Sequence, residues 1–298
     1  MNSYNIREYS GIEDLIEMQE LVSSTFDARS HWHIGDLAWQ RFQHEGADQN
    51  WLTYLFEKED DLVAWGWLEP SGSLNIMVHP SHQEETAPVV DHFSKVNRNE
   101  RLEVNMTESE GYIISGLLSN GFQERSDGPF HMRMYRDLEN LPEVNLPDGF
   151  SARCVDPGTD LEKRVDVHRE AWHPSRVTYE SYGNVMKAPG YSTRLDWIII
   201  APDGSVASYC LIWHDKKSQI GLLEPAGTSP RYRRLGLSRA VCTLALMELK
   251  KAGGKGVVVN PRGDDAYPVP AELYRSIGFR RITRERTFVK EFSNPALK

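Results

Sequence analysis

No apolar run in the 298 residues approaches the roughly 18 consecutive residues of a membrane span, and the opening Met1-Asn2-Ser3-Tyr4-Asn5 lacks a basic stretch followed by an apolar one. The expectation is a soluble, cytoplasmic protein with no membrane partner. Cysteine is scarce: Cys154, Cys210 and Cys242 lie far apart, and the last two sit in apolar runs that read as buried. Neither a disulfide framework nor a metal site is suggested. Surplus positive charge is missing as well. The formal net charge is -9, which argues against a general nucleic-acid binder and mildly favours cationic or amine-bearing small molecules. What the chain does have is size, and 298 residues with 40% hydrophobic side chains exceed one ordinary domain, so two are expected.

Comparing the chain with itself brings out a repeat. Ile6-Arg7 followed by a helix-like run from Ile12 to Phe26 corresponds to Ala152-Arg153 followed by Leu161 to Trp172, an offset of 146 residues. Val78-His79-Pro80 matches Thr228-Ser229-Pro230 at 150, and Ser119-Asn120-Gly121-Phe122 matches Ser276-Ile277-Gly278-Phe279 at 157. Small loop insertions produce such a drift. Between the halves, residues 141–149 carry two prolines and a glycine and read as an extended linker, giving domains 1–140 and 150–298.

The second half has the more informative loop. Arg233-Arg234-Leu235-Gly236-Leu237-Ser238 follows a strand-like run ending near Thr228 and opens a helix-like run reaching Lys251. A glycine-containing loop at a helix start directs backbone N–H groups and the positive end of the helix dipole at one point, which suits the pyrophosphate of a nucleotide-bearing cofactor. Upstream, Asp196 to Ala201 and Val206 to Trp213 read as a hairpin, and Ile220 to Thr228 as a strand interrupted by Pro225 and Gly227, residues that suit a bulge or a close ligand approach. Cys242, Ala245, Leu246 and Leu249 recur at i, i+3, i+4 and i+7, predicting a helix from Leu237 to Leu249. Gly253 and Gly254 end it, Gly256 to Val259 resumes a buried strand, Ala271 to Ile277 is a short helix, and Arg281 to Phe292 is a last strand.

These residues resemble the GNAT superfamily of acyl-CoA-dependent N-acyltransferases. The match rests on Pro230-Arg231-Tyr232-Arg233-Arg234-Leu235-Gly236-Leu237-Ser238, close to P-x-[YF]-R-x-x-G-x-[GA], and on Leu273-Tyr274-Arg275-Ser276-Ile277-Gly278-Phe279, close to L-Y-x-x-x-G-F. Two motifs in order, some forty residues apart, are more specific than either alone. The resemblance is strong over 150–292 and diluted over 1–138, as in the mycothiol-synthase-like tandem type with a degenerate first copy. It implies an α/β (α+β) architecture of two tandem GNAT-like domains, each a mixed, mostly antiparallel sheet flanked by helices. It further implies that the fourth strand splays from the fifth to admit acyl-CoA. Ala226, Gly227 and Thr228 would then hold the pantetheine, and Arg233, Arg234, Leu235, Gly236, Leu237 and Ser238 would cradle the pyrophosphate. Two positions depart from the pattern: Ser238 stands where glycine or alanine is usual, and Tyr267 where asparagine often is.

The implied reaction is acetyl transfer from acetyl-CoA, as co-substrate, to a primary amine of a small molecule by direct attack, in a monomer or homodimer. Tyr274, in the matching family position, would protonate the leaving thiolate; its bland reading is an amphipathic core tyrosine. Glu224, nine residues before Arg233, is the candidate base, against a strand-end carboxylate paired with an arginine or a water chain in its place. His214 is a lesser candidate, and Trp172-His173-Pro174-Ser175-Arg176 occupies the segment that shapes the acceptor pocket in such folds. In the first half, the proline register sets Gln83, Glu84, Glu85 and Thr86 opposite Arg233 to Gly236, and the Gly-Phe register sets Leu117 opposite Tyr274. Acids there would repel a pyrophosphate, so the first half reads as a structural or substrate-shaping copy rather than a second active site. The competing class is a non-catalytic acyl-CoA-binding module.

Overall fold

The computed structural model describes residues 5–292, so the Met1-Asn2-Ser3-Tyr4 segment read above lies outside the described residues. In chain order its elements begin with β1 (Asn5–Glu8), α1 (Ile12–Thr25), α2 (Ile34–Phe42), β2 (Leu52–Lys58), β3 (Asp61–Leu68), β4 (Leu74–Val78), α3 (Thr86–Val96), β5 (Arg101–Thr107), α4 (Gly111–Ser119), β6 (Gln123–Arg125) and β7 (Met132–Asp137). They continue with β8 (Ser151–Cys154), α5 (Leu161–Ala171), α6 (Tyr179–Val185), β9 (Asp196–Ile200), β10 (Val206–Asp215), β11 (Ile220–Thr228), α7 (Leu237–Lys251), β12 (Gly256–Val259), α8 (Val269–Ser276) and β13 (Arg280–Glu291). The chain divides into two compact units. The first comprises the described residues of Met1–His33, Gly46–Met132 and Thr283–Lys298, the second Ile34–Glu45 and Arg133–Ile282. The linker 141–149 has no helix or strand and falls within the second.

In the first unit β1, β2, β3 and β4 form an antiparallel sheet in that order. β5 pairs antiparallel with β13 from Arg101↔Glu291 to Thr107↔Glu285, and β6 also pairs with β13. Alternation on these strands sends Val104 and Phe288 inward to meet Phe56, Phe93, Ile113 and Leu117 in one core. Leu117, the counterpart of Tyr274, is fully buried there.

In the second unit β8, β9, β10 and β11 run antiparallel in order, β12 pairs parallel with β11, and β7 pairs antiparallel with β12. α7 crosses from β11 to β12, and the spacing read from the sequence is its buried face: Leu237, Val241, Cys242, Ala245, Leu246 and Leu249. Truncating one such leucine to alanine costs about 2–5 kcal/mol. On the other face of β10 lies a buried ionic centre. Arg164 of α5 and Asp196 of β9 are both 0% exposed, with Nε donating to Oδ1 at 3.0 Å. The Tyr182 and Tyr191 hydroxyls donate to Asp196 Oδ2 at 2.5 and 3.0 Å, and the guanidinium lies 3.8 Å from the Tyr209 ring centroid. Removing one member would leave an uncompensated buried charge, a loss of about 3–5 kcal/mol.

Candidate functional site

The site grows out of a mismatch in strand length. β11 pairs with β12 only from Ile220↔Gly256 to Leu222↔Val258, yet it continues beside β10 to Ser208↔Thr228. Beyond Leu222 the β11 edge facing β12 is therefore open. Backbone alternation decides which groups it offers: Ser229 N–H donates to Ala207 C=O at 3.0 Å, so residues 227 and 229 face β10, and Ala226 and Thr228 turn their N–H and C=O outward. Of the three strand residues the sequence singled out, Ala226 and Thr228 thus reach the open edge through their backbones. Gly227 serves differently. A Cβ there would lie 2.7 Å from the Tyr209 hydroxyl and 2.8 Å from Ala171 Cβ, so its missing side chain makes room for Tyr209, while a ladder irregularity falls between Cys210 and Ile212.

The open edge ends at the basic loop. Pro230–Tyr232 forms a 3-10 turn, and Tyr232 is anchored by donating from its hydroxyl to Asp203 Oδ2 at 2.9 Å. Arg234 (φ 65°) and Gly236 (φ 76°) are both left-handed, which curls the exposed residues 233–236 into the start of α7. No side chain caps this helix, leaving its first N–H groups and its dipole directed at the loop, while Lys250 and Lys251 balance the far end. Ser238 holds the two parts together: its hydroxyl lies 2.6 Å from Thr228 Oγ1, itself 2.7 Å from Ser208 Oγ. The departure from glycine or alanine is thus a tie between helix and strand. An unpaired strand edge leading to an uncapped helix start fits an extended amide-bearing arm ending in a pyrophosphate.

Tyr274 of α8 is 8% exposed, its ring edge-on to Phe279 at 5.6 Å. Burial, then the neighbouring Cys242, Cys210 and Glu224, push its pKa well above the ordinary phenol value. The structure thereby brings Tyr274 and Glu224 into one electrostatic neighbourhood and keeps the phenol protonated. Glu224 is half-buried, and its backbone carbonyl accepts from Trp213 Nε1 at 2.8 Å. His214 stands opposite Gly221, beside the stretch of β11 still paired with β12; burial lowers its pKa. Trp172 ends α5 half-exposed, and Arg176 lies near enough to His44 to lower that imidazole's pKa after burial has done so.

Two groups escaped the sequence reading. His168 of α5 has Nδ1 2.9 Å from the Tyr209 hydroxyl behind Gly227, and α2, from the first half of the sequence, packs its Gly35 against the Trp213 ring. Gly227 within an apolar strand hinted at a close approach; nothing local named the partner.

The equivalent edge of the first unit has a different occupant. Ile76 and Val78 of β4 stand in register with Ala226 and Thr228, and His79 N–H donates to Val63 C=O at 2.8 Å just as Ser229 does to Ala207. Here the outward carbonyls are taken by the protein's own side chains: Trp32 Nε1 donates to Ile76 O at 2.9 Å and the Tyr112 hydroxyl to Val78 O at 2.6 Å. The adjoining cavity, lined by His31, Trp32, Met77 and Tyr112 among others, holds about 130 Å³, below the roughly 300–1,000 Å³ of small-ligand sites. The basic loop is replaced by a 3-10 segment, Pro80–Glu85, whose Glu84 and Glu85 pair with Lys58 at 3.0 and 3.4 Å.

No family model matches the chain. Among curated proteins it is 24% identical over 233 residues to the mycothiol acetyltransferase of Arthrobacter sp. (strain FB24), covering 71% of this chain and 68% of that one. It is 26% identical over 245 residues to the mycothiol acetyltransferase of Thermobispora bispora, covering 75% and 78%. Among solved structures, a tandem GNAT protein from the clavulanic acid biosynthesis pathway superposes with a TM-score of 0.68 at 15% identity, over 98% of this chain and 100% of that one. A GNAT-family acetyltransferase from Colwellia psychrerythraea gives 0.65 at 14%, over 97% and 100%. The fold is thus the GNAT fold in its tandem form, and in sequence the chain is similar to mycothiol acetyltransferases.

Proposed function

We propose that the chain is an acyl-CoA-dependent N-acyltransferase that moves an acetyl group from acetyl-CoA to a primary amine of a small molecule. The observation that carries this reading is the open β11 edge at Ala226 and Thr228 running into the uncapped start of α7, with Tyr274 and Glu224 in one neighbourhood. The thioester supplies the activated acyl group; the rest of the chemistry falls to this chain. Outward N–H groups of β11 hold the arm and polarise the acyl oxygen. Glu224 takes the proton that the attacking amine must lose. The Tyr274 phenol, kept neutral by burial, gives its proton to the departing thiolate. Loop residues 233–238 bind the diphosphate through main-chain N–H groups.

The name of the curated relatives makes mycothiol-related amines the first acceptors to assay, followed by amino sugars and amino-acid derivatives. Release of free thiol from acetyl-CoA is the readout. Tyr274→Phe should lower kcat about 100-fold or more while leaving coenzyme A affinity within a few-fold, the size expected for losing a general acid. Calorimetric binding of coenzyme A with no amine acylated would instead mark a non-catalytic binding module.

A further inference from the structure

We propose that helix α2, drawn from the first half of the sequence, is the positioning element of the transfer site, with Gly35 and Trp39 setting the places of Glu224 and Gly227 through Trp213 and the His168–Tyr209 pair. The inference rests on reading the β11 edge as the transfer site. All of these residues belong to the second unit.

Two chains of contact start on α2 and end on β11. In the first, Gly35 lies so close to Trp213 that a Cβ on it would overlap the indole Cβ and Cγ. The indole is fully buried, walled by Tyr191 at 6.2 Å between ring centroids and by Gly190, and it donates from Nε1 to the Glu224 carbonyl at 2.8 Å. The backbone of the candidate base is therefore held by a ring that the helix backbone presses into place. In the second, the Trp39 ring lies 5.9 Å from that of His168, whose Nδ1 is 2.9 Å from the Tyr209 hydroxyl; that hydroxyl fills the space where a side chain on Gly227 would be. The two chains reach β11 on either side of Pro225-Ala226, within its open edge.

Gly35 lies in the first turn of α2, and the atoms of Trp213 occupy the space a side chain there would take, so the close approach requires glycine. Displacements of about 1 Å in a catalytic group are costly to rate even when caused far from the chemistry. Neither Gly35 nor Trp39 is assigned contact with substrate: they act through the rings they hold.

The test uses the full-length chain and two kinds of readout. The Trp213 indole N–H is identified in NMR spectra by its disappearance in Trp213→Phe. In the unaltered protein it should exchange slowly with solvent, and Gly35→Ala should speed that exchange at least tenfold. With an active amine, Gly35→Ala and Trp213→Phe should each lower kcat about tenfold or more, with coenzyme A affinity within twofold. The double variant should be no slower than the worse single one, because both break one route. Trp39→Phe, which keeps a ring against His168, should be milder than Trp39→Ala. An indole exchange rate unmoved by Gly35→Ala, or single losses that multiply in the double variant, overturns the positioning role and leaves the transfer reading intact. A chain that acylates no amine overturns the transfer reading, while the exchange experiment still decides whether α2 sets Trp213.

Discussion

His168 is 5% exposed, and burial, then the Arg164 guanidinium and His44, hold its pKa down to about 3. In the folded protein it is a neutral imidazole at any working pH, whereas in the unfolded chain it takes a proton near pH 6.5. The unfolded state therefore binds more protons between those two values, and stability falls as pH drops from about 6.5 towards 3, at about 1.4 kcal/mol per pH unit. Urea unfolding at pH 7.5 and pH 5 should give the native protein about 2 kcal/mol more acid loss than His168→Gln; equal losses would remove the neutral-imidazole argument. Tyr274 behaves oppositely in kind: its raised pKa keeps it a proton donor, so no alkaline fall in rate below about pH 10 should come from it. The motif Leu273-Tyr274-Arg275-Ser276-Ile277-Gly278-Phe279 made Tyr274 legible in the sequence. His168 was not, because its partner Tyr209 lies 41 residues away and only the packing of α5 on β10 brings them together.

Among the elements, those with strong local punctuation were the most legible. α7 begins at Leu237 as its apolar spacing implied, β11 spans Ile220–Thr228 and β12 Gly256–Val259 as read, and α8 and β13 differ from expectation by two residues at most. Apolar period and glycine stops fix such elements locally. What fills a strand edge is not local. β4 and β11 carry matching registers, but the edge of one is open and that of the other is bonded to Trp32 and Tyr112, contacts spanning 44 and 34 residues. On the proposed function, this difference and the Glu84–Glu85 segment predict one coenzyme A per chain. Titration calorimetry should give a stoichiometry of one. Gly236→Val, which forces a β-branched residue into a left-handed position where a Cβ meets nothing within 4 Å, should weaken that binding about tenfold by backbone strain alone. A second site, or one whose affinity is unmoved by Gly236→Val and lost in a Trp32 variant, would place binding in the first unit instead.

For the molecule as a whole, the repeat matched three segments between the halves but did not tell which sheet the last strand of each half joins. The compact units interleave in sequence. β7, at the end of the first half, pairs with β12 from Gly256↔Asp137 to Val259↔Met134, and α2 packs on Trp213, so the second unit contains two pieces of the first half. Conversely, β13 pairs with β5 and puts the fully buried Phe288 into the core of the first unit. Repeat symmetry could not reveal this, because either final strand satisfies an open edge of either sheet equally well in pattern; partner choice is tertiary. The consequence is testable by cutting the chain within residues 141–149. A fragment 1–140 would lose β13, and losing Phe288 alone costs about 3–5 kcal/mol of a total stability of about 5–15 kcal/mol. A fragment 141–298 would lose β7, exposing β12 as an edge, together with α2 and its hold on Trp213. Each fragment expressed alone should be insoluble or unfolded by circular dichroism, and co-expression should restore a soluble pair that binds coenzyme A. If 141–298 alone bound coenzyme A with the affinity of the full chain, the strands supplied by the other half would be dispensable and the two units would each be complete within one half of the sequence.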